Sequence, residues 1–237
     1  MHFTYPEIPY WSPPGFRVRD ARLADVDNLT NIWYASFNAS HKIFEYVTPD
    51  DAPTRKWFNE LWTMGIRPSV IKTLVIEDLS KDSKLVGFAR IHVPQADGNQ
   101  DIPNPPVPEH WDPEITDAFW GQIARSRERV MGKRMHWMAE FVGIDRDYES
   151  KGLARAFIDW GLRQADATGL EMYGDATIRG LPVWKRYGAQ ELGVLNVPGR
   201  PGLFEAYEIV PVLFTPGTKE ARAIIAKLNK LVEQCAR

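Results

Sequence analysis

The apolar positions of this chain follow two periods, and the switches between them lay out strands and helices. Phe16-Arg17-Val18-Arg19 alternates and predicts a strand. From Asp20 to about Phe37, residues Leu23, Val26, Leu29, Trp33 and Phe37 recur at helical spacing. A second helix is expected from Pro53 to Thr63, burying Trp57, Phe58, Leu61 and Trp62. Ile71 to Asp78 and Lys84 to Val93 predict an antiparallel pair joined by a polar turn. Pro94, Pro103, Pro105, Pro106, Pro108 and Pro113 make the next stretch a loop. Glu114 to Gly132 then reads as a helix with Ile115, Phe119 and Ile123 on its apolar face. A strand from His136 to Asp145, a helix from Gly152 to Gly169 and a strand from Met172 to Thr177 follow. A short helix from Pro182 to Gly188 and strands from Leu192 to Val197 and Phe204 to Phe214 come next, then an amphipathic helix over 218–237. This order implies an α/β fold with a mixed twisted sheet flanked by helices, not a run of pure βαβ units. One domain is expected over 1–237. It carries an extended arm at 1–15 and an insert at 94–133 that would overhang the substrate side.

Composition narrows the function. A length of 237 residues suffices for a sizeable core, and 44% hydrophobic with 25% charged residues is ordinary for a globular chain. A net charge of −2 gives no footprint for nucleic acid or an anionic membrane. No apolar run reaches the length of a membrane span, and the N-terminus has no signal-peptide pattern. The single cysteine, Cys235, fits a reducing compartment, so a cytoplasmic protein is expected, as a monomer or homodimer. No metal motif, P-loop or Ser/His/Asp ordering appears.

The most informative stretch is a strand, a charged turn and a helix start: Trp137 to Ile144, Asp145-Arg146-Asp147, then Tyr148-Glu149-Ser150-Lys151-Gly152-Leu153-Ala154. The first N–H groups of a helix lack intrahelical partners and sit at the positive end of its dipole, which suits a diphosphate. Gly152 and Ala154 are small, and Lys151 and Arg155 add charge. Glu149-x-x-Gly152-x-Ala154 resembles the acyl-CoA signature of the GNAT acetyltransferases, Gln/Arg-x-x-Gly-x-Gly/Ala. Val142-x-Ile144 before it looks like the family's fourth strand. Asp175-Ala176-Thr177-x-x-Gly180-x-Pro182-Val183-Trp184-x-x-Tyr187-Gly188-Ala189 looks like its fifth strand and the following helix. The detailed likeness covers residues 136–190, and the Pro-rich insert is similar to that of members common in fungi.

The resemblance implies a GNAT fold and an acetyl-CoA-dependent N-acetyltransferase acting on a small-molecule amine. It implies coenzyme contacts from Val142, Gly143, Ile144, Ser150, Lys151, Gly152, Leu153, Ala154, Arg155, Thr177 and Trp184, with main-chain amides of 142–144 polarising the thioester. Glu149 departs from the motif by placing a carboxylate near the diphosphate, to be neutralised by Arg146 or Lys151 or turned to solvent. Strand alternation groups His136, Met138, Glu140, Val142 and Ile144 on one face. Glu140 stands where the family places its base; among apolar neighbours its pKa would rise, unless it pairs with a cation such as an arginine of the insert helix. His136 is a second candidate. Trp184 occupies the place of the family's proton-donating tyrosine, leaving Tyr187, one turn on, as a substitute acid or a core aromatic. Trp33, Tyr34, Phe37, Phe44 and Tyr46 are candidates for the amine pocket or for the core. Two rival readings stay open: a non-catalytic acyl-CoA-binding or sensor protein, and a protein or peptide N-acetyltransferase.

Overall fold

A computed structural model describes residues 3–66 and 70–235. Strand β1 (Phe16–Asp20) leads through a short turn into α1 (Val26–Trp33), which widens into a π-helical turn at Tyr34–Asn38. Helices α2 (Phe44–Val47) and α3 (Ala52–Ile66) precede β2 (Ile71–Asp78) and β3 (Lys84–His92). After the Pro-rich loop come α4 (Pro113–Thr116), a second π-helical turn at Asp117–Gly121, and α5 (Gln122–Met131). The second half holds β4 (Trp137–Ile144), α6 (Ala154–Thr168), β5 (Met172–Thr177) and α7 (Leu181–Arg186). It closes with β6 (Gln190–Glu191), β7 (Leu195–Val197), β8 (Tyr207–Phe214) and α8 (Lys219–Cys235). The last two residues of the helix expected over 218–237 lie outside the described residues.

The sheet runs β1-β2-β3-β4-β5-β8-β6, with β7 also on β8. Every pairing is antiparallel except β4–β5. One face packs on α6 and α8 through Ile91, Trp137, Phe157 and Ile225; the other packs on α1 and α3 through Phe88, Phe141, Leu29 and Trp62. Helix α6 is buried along its whole middle, Ala156 to Ala165, because the arm closes over its outer side. That arm has no regular structure of its own. The indole of Trp160 donates to the Ile8 carbonyl (3.2 Å), Arg163 to that of Pro9 (2.7 Å) and Gln164 to that of Pro6 (3.0 Å). Buried polar groups on the helix thus find partners in the arm's backbone, as buried polar groups must.

Two features correct the sequence reading. Between β3 and β4 the register shifts, so that Arg90 faces Phe141 while Ile91 faces Ala139. Glu140 is the extra residue of this β-bulge. The bulge reverses the alternation: Trp137 and Ala139 pack with Val142 and Ile144 on the α6 face, whereas Met138 and Phe141 lie on the other. The expected grouping of His136 and Met138 with Val142 and Ile144 therefore fails at Glu140. Of the segment read as one strand, Leu192–Val197, only Leu195–Val197 is strand (β7); the two-residue β6 precedes it, and Gly193 between them has a φ of 115°, outside the strand region.

Candidate active site

The site starts where the sheet opens. Strands β4 and β5 pair only from Trp137 to Ala139 against Met172 to Gly174. Beyond that, β4 continues on β3 to Ile144 and β5 on β8 to Thr177. Peptide groups of residues 140–144 on the β5 side therefore have no strand partner. The indole of Trp184 from α7 fills the base of the opening. A Cβ on Gly174 would stand 2.8 Å from its ring, so only glycine admits the tryptophan there.

Two cavities meet at this opening and share Phe37, Val142, Ala154, Thr177, Gly180 and Val183 as walls. The larger, about 890 Å³, lies between the sheet, α1 and the insert. Trp57, Trp111, Phe119, Trp120 and Phe141 give it an aromatic lining, and Glu140, Asp175 and Arg127 reach its wall. The other, about 870 Å³, faces the start of α6 and is lined by Gly143, Ile144, Ser150, Gly152, Leu153 and Arg155.

The turn into α6 has the geometry that an anion needs. Ser150 and Gly152 both have positive φ, 62° and 74°. Such a φ is costly for any residue with a Cβ, which makes glycine the natural occupant at 152. No side chain caps α6; the Arg155 and Ala156 N–H groups turn back to the Gly152 and Leu153 carbonyls, at 3.2 and 3.0 Å, and those of Gly152, Leu153 and Ala154 are left for a ligand. A Cβ on Gly152 would meet nothing within 4 Å: the turn borders open space. Arg155 Nε forms no hydrogen bond but lies 3.4 Å from Asp159 Oδ2, which holds its guanidinium beside the turn. These observations fit a diphosphate, and Ser150, Gly152, Leu153, Ala154 and Arg155 would hold it. Lys151 does not line the cavity; its ammonium sits 4.3 Å over the Tyr148 ring.

Glu149 is neutralised, but not by Arg146 or Lys151. Arg179 pairs with it at 2.5 Å, and the Ser40 hydroxyl donates to it at 3.0 Å; Arg146 donates instead to the Ala39 carbonyl. Both Glu149 and Arg179 line the α6-side cavity. Glu149→Gln is therefore expected to free Arg179 for the ligand and to tighten coenzyme A binding several-fold. That corresponds to about 1 kcal/mol, the scale of a partly exposed ion pair. Calorimetric titration checks this, and unchanged or weaker affinity would place the diphosphate elsewhere.

Glu140 departs from the electrostatics expected of it. Burial alone would raise its carboxyl, but Arg90 and His92 outweigh burial and hold it down at about 2. The fully buried Arg90 guanidinium pairs with Oε2, and His92 Nε2 lies 2.6 Å from the same oxygen. Burial lowers the His92 pKa, so the neutral ring donates its Nε2–H. The cation is thus Arg90 of β3, not an arginine of the insert helix. A carboxylate held this firmly in its charged form is a weak proton acceptor. His136 is completely buried, away from both cavities, with Nδ1 on the Arg134 carbonyl at 2.7 Å.

Tyr187 and the aromatic candidates separate cleanly. The Tyr187 hydroxyl donates to the buried Asp159 of α6; burial and that carboxylate raise its pKa. Its proton is held on α6, which favours the packing role over that of a free acid. Trp184 lines the larger cavity. Of the amine-pocket candidates, Phe37 and Phe44 line that cavity, and the fully buried Trp33 backs it. Tyr34 and Tyr46 do not. The Tyr34 hydroxyl lies 3.2 Å from the Pro49 carbonyl, under Arg55, and the Tyr46 ring packs on Phe204 at 5.4 Å. Sequence reasoning missed Trp57, Phe141, Arg127 and Asp175 as cavity residues. The bulge hid Phe141, and the others come from elements whose facing cannot be read without the sheet.

No family model and no curated protein matches the sequence. Solved structures do match it in fold. An arylalkylamine N-acetyltransferase-like protein of mosquito aligns with TM-score 0.58 at 14% identity, over 84% of this chain and 99% of that one. A polyamine N-acetyltransferase of Drosophila melanogaster, described as forming N-acetylagmatine, aligns at 0.57 and 11%, over 84% and 99%. A Corynebacterium glutamicum protein described as histone acetyltransferase HPA2 and related acetyltransferase aligns at 0.55 and 17%, over 86% and 98%. The fold is that of the GNAT acetyltransferases, as the resemblance of residues 136–190 implies.

Proposed function

We propose that the protein is an acetyl-CoA-dependent N-acetyltransferase that acts on a small-molecule amine. The observation that carries this reading is the meeting of two cavities at the β4–β5 opening, one bounded by an uncapped helix N-terminus and the other by aromatic side chains. Coenzyme A fits the first. Its diphosphate would meet Ser150, Gly152, Leu153, Ala154 and Arg155, and its acyl end the peptide groups of Val142 and Ile144 that turn away from β3 on either side of Gly143, with Thr177 at the junction and Trp184 on the side of the larger cavity. Amides fixed in a wedge are preorganised to stabilise charge developing on a carbonyl oxygen. The amine enters from the aromatic cavity and attacks directly within a ternary complex.

Two supports point to a small acceptor. The insert lines the larger cavity with Trp111, Phe119 and Trp120, an aromatic wall that suits a small apolar or aromatic amine better than a peptide backbone. The mosquito and fly proteins of like fold are named for small amines. The single cysteine supports a reducing, cytoplasmic compartment. One observation favours the non-catalytic acyl-CoA-binding reading: Trp184 lacks a useful proton to give a thiolate, and that of Tyr187 is engaged. A thiol-release assay with acetyl-CoA across aryl-alkyl amines and polyamines decides. Amine-dependent thiol release is expected; coenzyme binding with no turnover on any amine would leave the sensor reading.

A further inference from the structure

We propose that Asp175 is the group that takes the proton from the incoming ammonium. This rests on the N-acetyltransferase reading above and names a different residue from the one sequence position suggests.

Among the described residues, Glu140 and Asp175 are the carboxylates of the larger cavity that are not solvent-exposed; Asp101, Glu109 and Asp117 lie at the surface. They have opposite environments. Glu140 sits in the bulge, tied to Arg90 and His92. Asp175 has no ion-pair partner within 4 Å; its one side-chain hydrogen bond comes from the Tyr173 hydroxyl, which donates to Oδ1 at 2.9 Å. Oδ2 is left for a ligand. Asp175 is the first residue of β5 past the last pair with β4, so it stands at the mouth of the opening. Thr177, two residues on and on the same side of the strand, marks the junction of the cavities, about 7 Å away along the strand. That separation is the span of an amine and one water.

The charges around Asp175 come from four elements. Arg127 of α5 and Tyr173 of its own strand act on it most directly, both favouring the charged form. In the Glu140–Arg90–His92 group on β3 and β4 the guanidinium and the carboxylate balance each other's charge. The facing residue on β8 is Pro211, which carries no charge. Burial dominates these and pushes the Asp175 carboxyl up to about 7. A carboxyl poised there suits proton transfer at neutral pH.

The step balances as follows. The alkylammonium, with an ordinary pKa near 10, gives one proton to Asp175, directly or through a water. Its freed lone pair forms the C–N bond at the thioester carbonyl carbon. The C–S bond breaks with its electrons on sulfur. The thiolate takes the second nitrogen proton through water, and Asp175 returns its own to solvent.

Asp175→Asn tests this, since the amide keeps the bond from Tyr173. Wild-type kcat/KM for the best amine of the panel should rise with pH through an apparent pKa near 7. In Asp175→Asn it should fall about 100-fold at pH 7 and lose that limb, with coenzyme A affinity unchanged. A folded-state pKa raised above the unfolded value favours folding below the unfolded pKa, an advantage lost as pH rises through the folded one. Asp175→Asn should therefore melt above wild type at pH 8 and level with it at pH 4. Persistence of the limb near 7, or loss of it in Glu140→Gln but not in Asp175→Asn, overturns the assignment. A wild type that acetylates no amine overturns the enzyme reading itself, and the base with it.

Discussion

Gly152→Glu should weaken coenzyme A binding by about 100-fold or more. Glycine at this turn has φ 74°, a conformation that costs other residues roughly 1–2 kcal/mol. The new carboxylate would extend into the α6-side cavity toward the diphosphate, with Glu149 close by in sequence. Like charges about 4 Å apart at a protein surface repel by up to ~4 kcal/mol. Either effect in part, with the other, gives about 3 kcal/mol, or two decades in Kd. Gly152→Ala separates them. Its Cβ enters open space, so only the backbone cost remains and a loss of about fivefold is expected. Calorimetric titration reads both, and full affinity in Gly152→Glu would remove the turn from the coenzyme site.

Arg90→Met should lower the melting temperature by about 10 °C. Arg90 is completely buried, pairs with Glu140, and donates to the Pro103 carbonyl at 3.0 Å. One side chain thus neutralises the bulge and ties the Pro-rich loop to the sheet. Removing one partner of a buried pair costs about 3–5 kcal/mol, because the other charge is left uncompensated. At this chain length each kcal/mol is worth about 2–4 °C. The wild-type pair has its own pH signature. Glu140 is depressed from 4.5 to about 2. Its contribution, about 3 kcal/mol by the size of that shift, is present above pH 4.5 and lost as pH falls toward 2. In Arg90→Met that acid-side loss should shrink. Adding Glu140→Leu should restore much of the melting temperature, since an apolar pair tolerates burial. A single variant melting within 2 °C of wild type would contradict the account.

The parts of this molecule legible in sequence are those specified locally. The strand, turn and helix start at 137–154 are signalled by apolar alternation, a charged turn and Gly152, all within one short window. Strands β2 and β5 match their predicted limits for the same reason. What escaped depends on pairing between distant segments. The bulge at Glu140 exists only because β3 passes Arg90, fifty residues before Glu140, opposite Phe141, and nothing near Glu140 announces it. That one extra residue changes which side chains face α6 and which face the opposite side of the sheet. The partner of Glu149, Arg179, lies thirty residues on, beyond β5. Asp175 was visible as a strand residue, but its isolation from cations is a property of the assembled sheet. Short α2 and the π-helical turn at Tyr34–Asn38 lie below the length at which periodicity speaks. That turn decides why Phe37 meets the cavity and Tyr34 does not.

The arm that closes over α6 has a consequence for synthesis. Its carbonyl partners, Trp160, Arg163 and Gln164, lie 152, 154 and 158 residues further along the chain. At about 5–20 residues per second a ribosome delivers them some 10–30 s after the arm itself. Throughout that interval Phe3, Tyr5, Ile8, Tyr10 and Trp11 have no helix to cover, and they form a sticky segment on a nascent chain. The first part of the domain to emerge is thus among the last to dock, and completion of the packing around α6 waits on it.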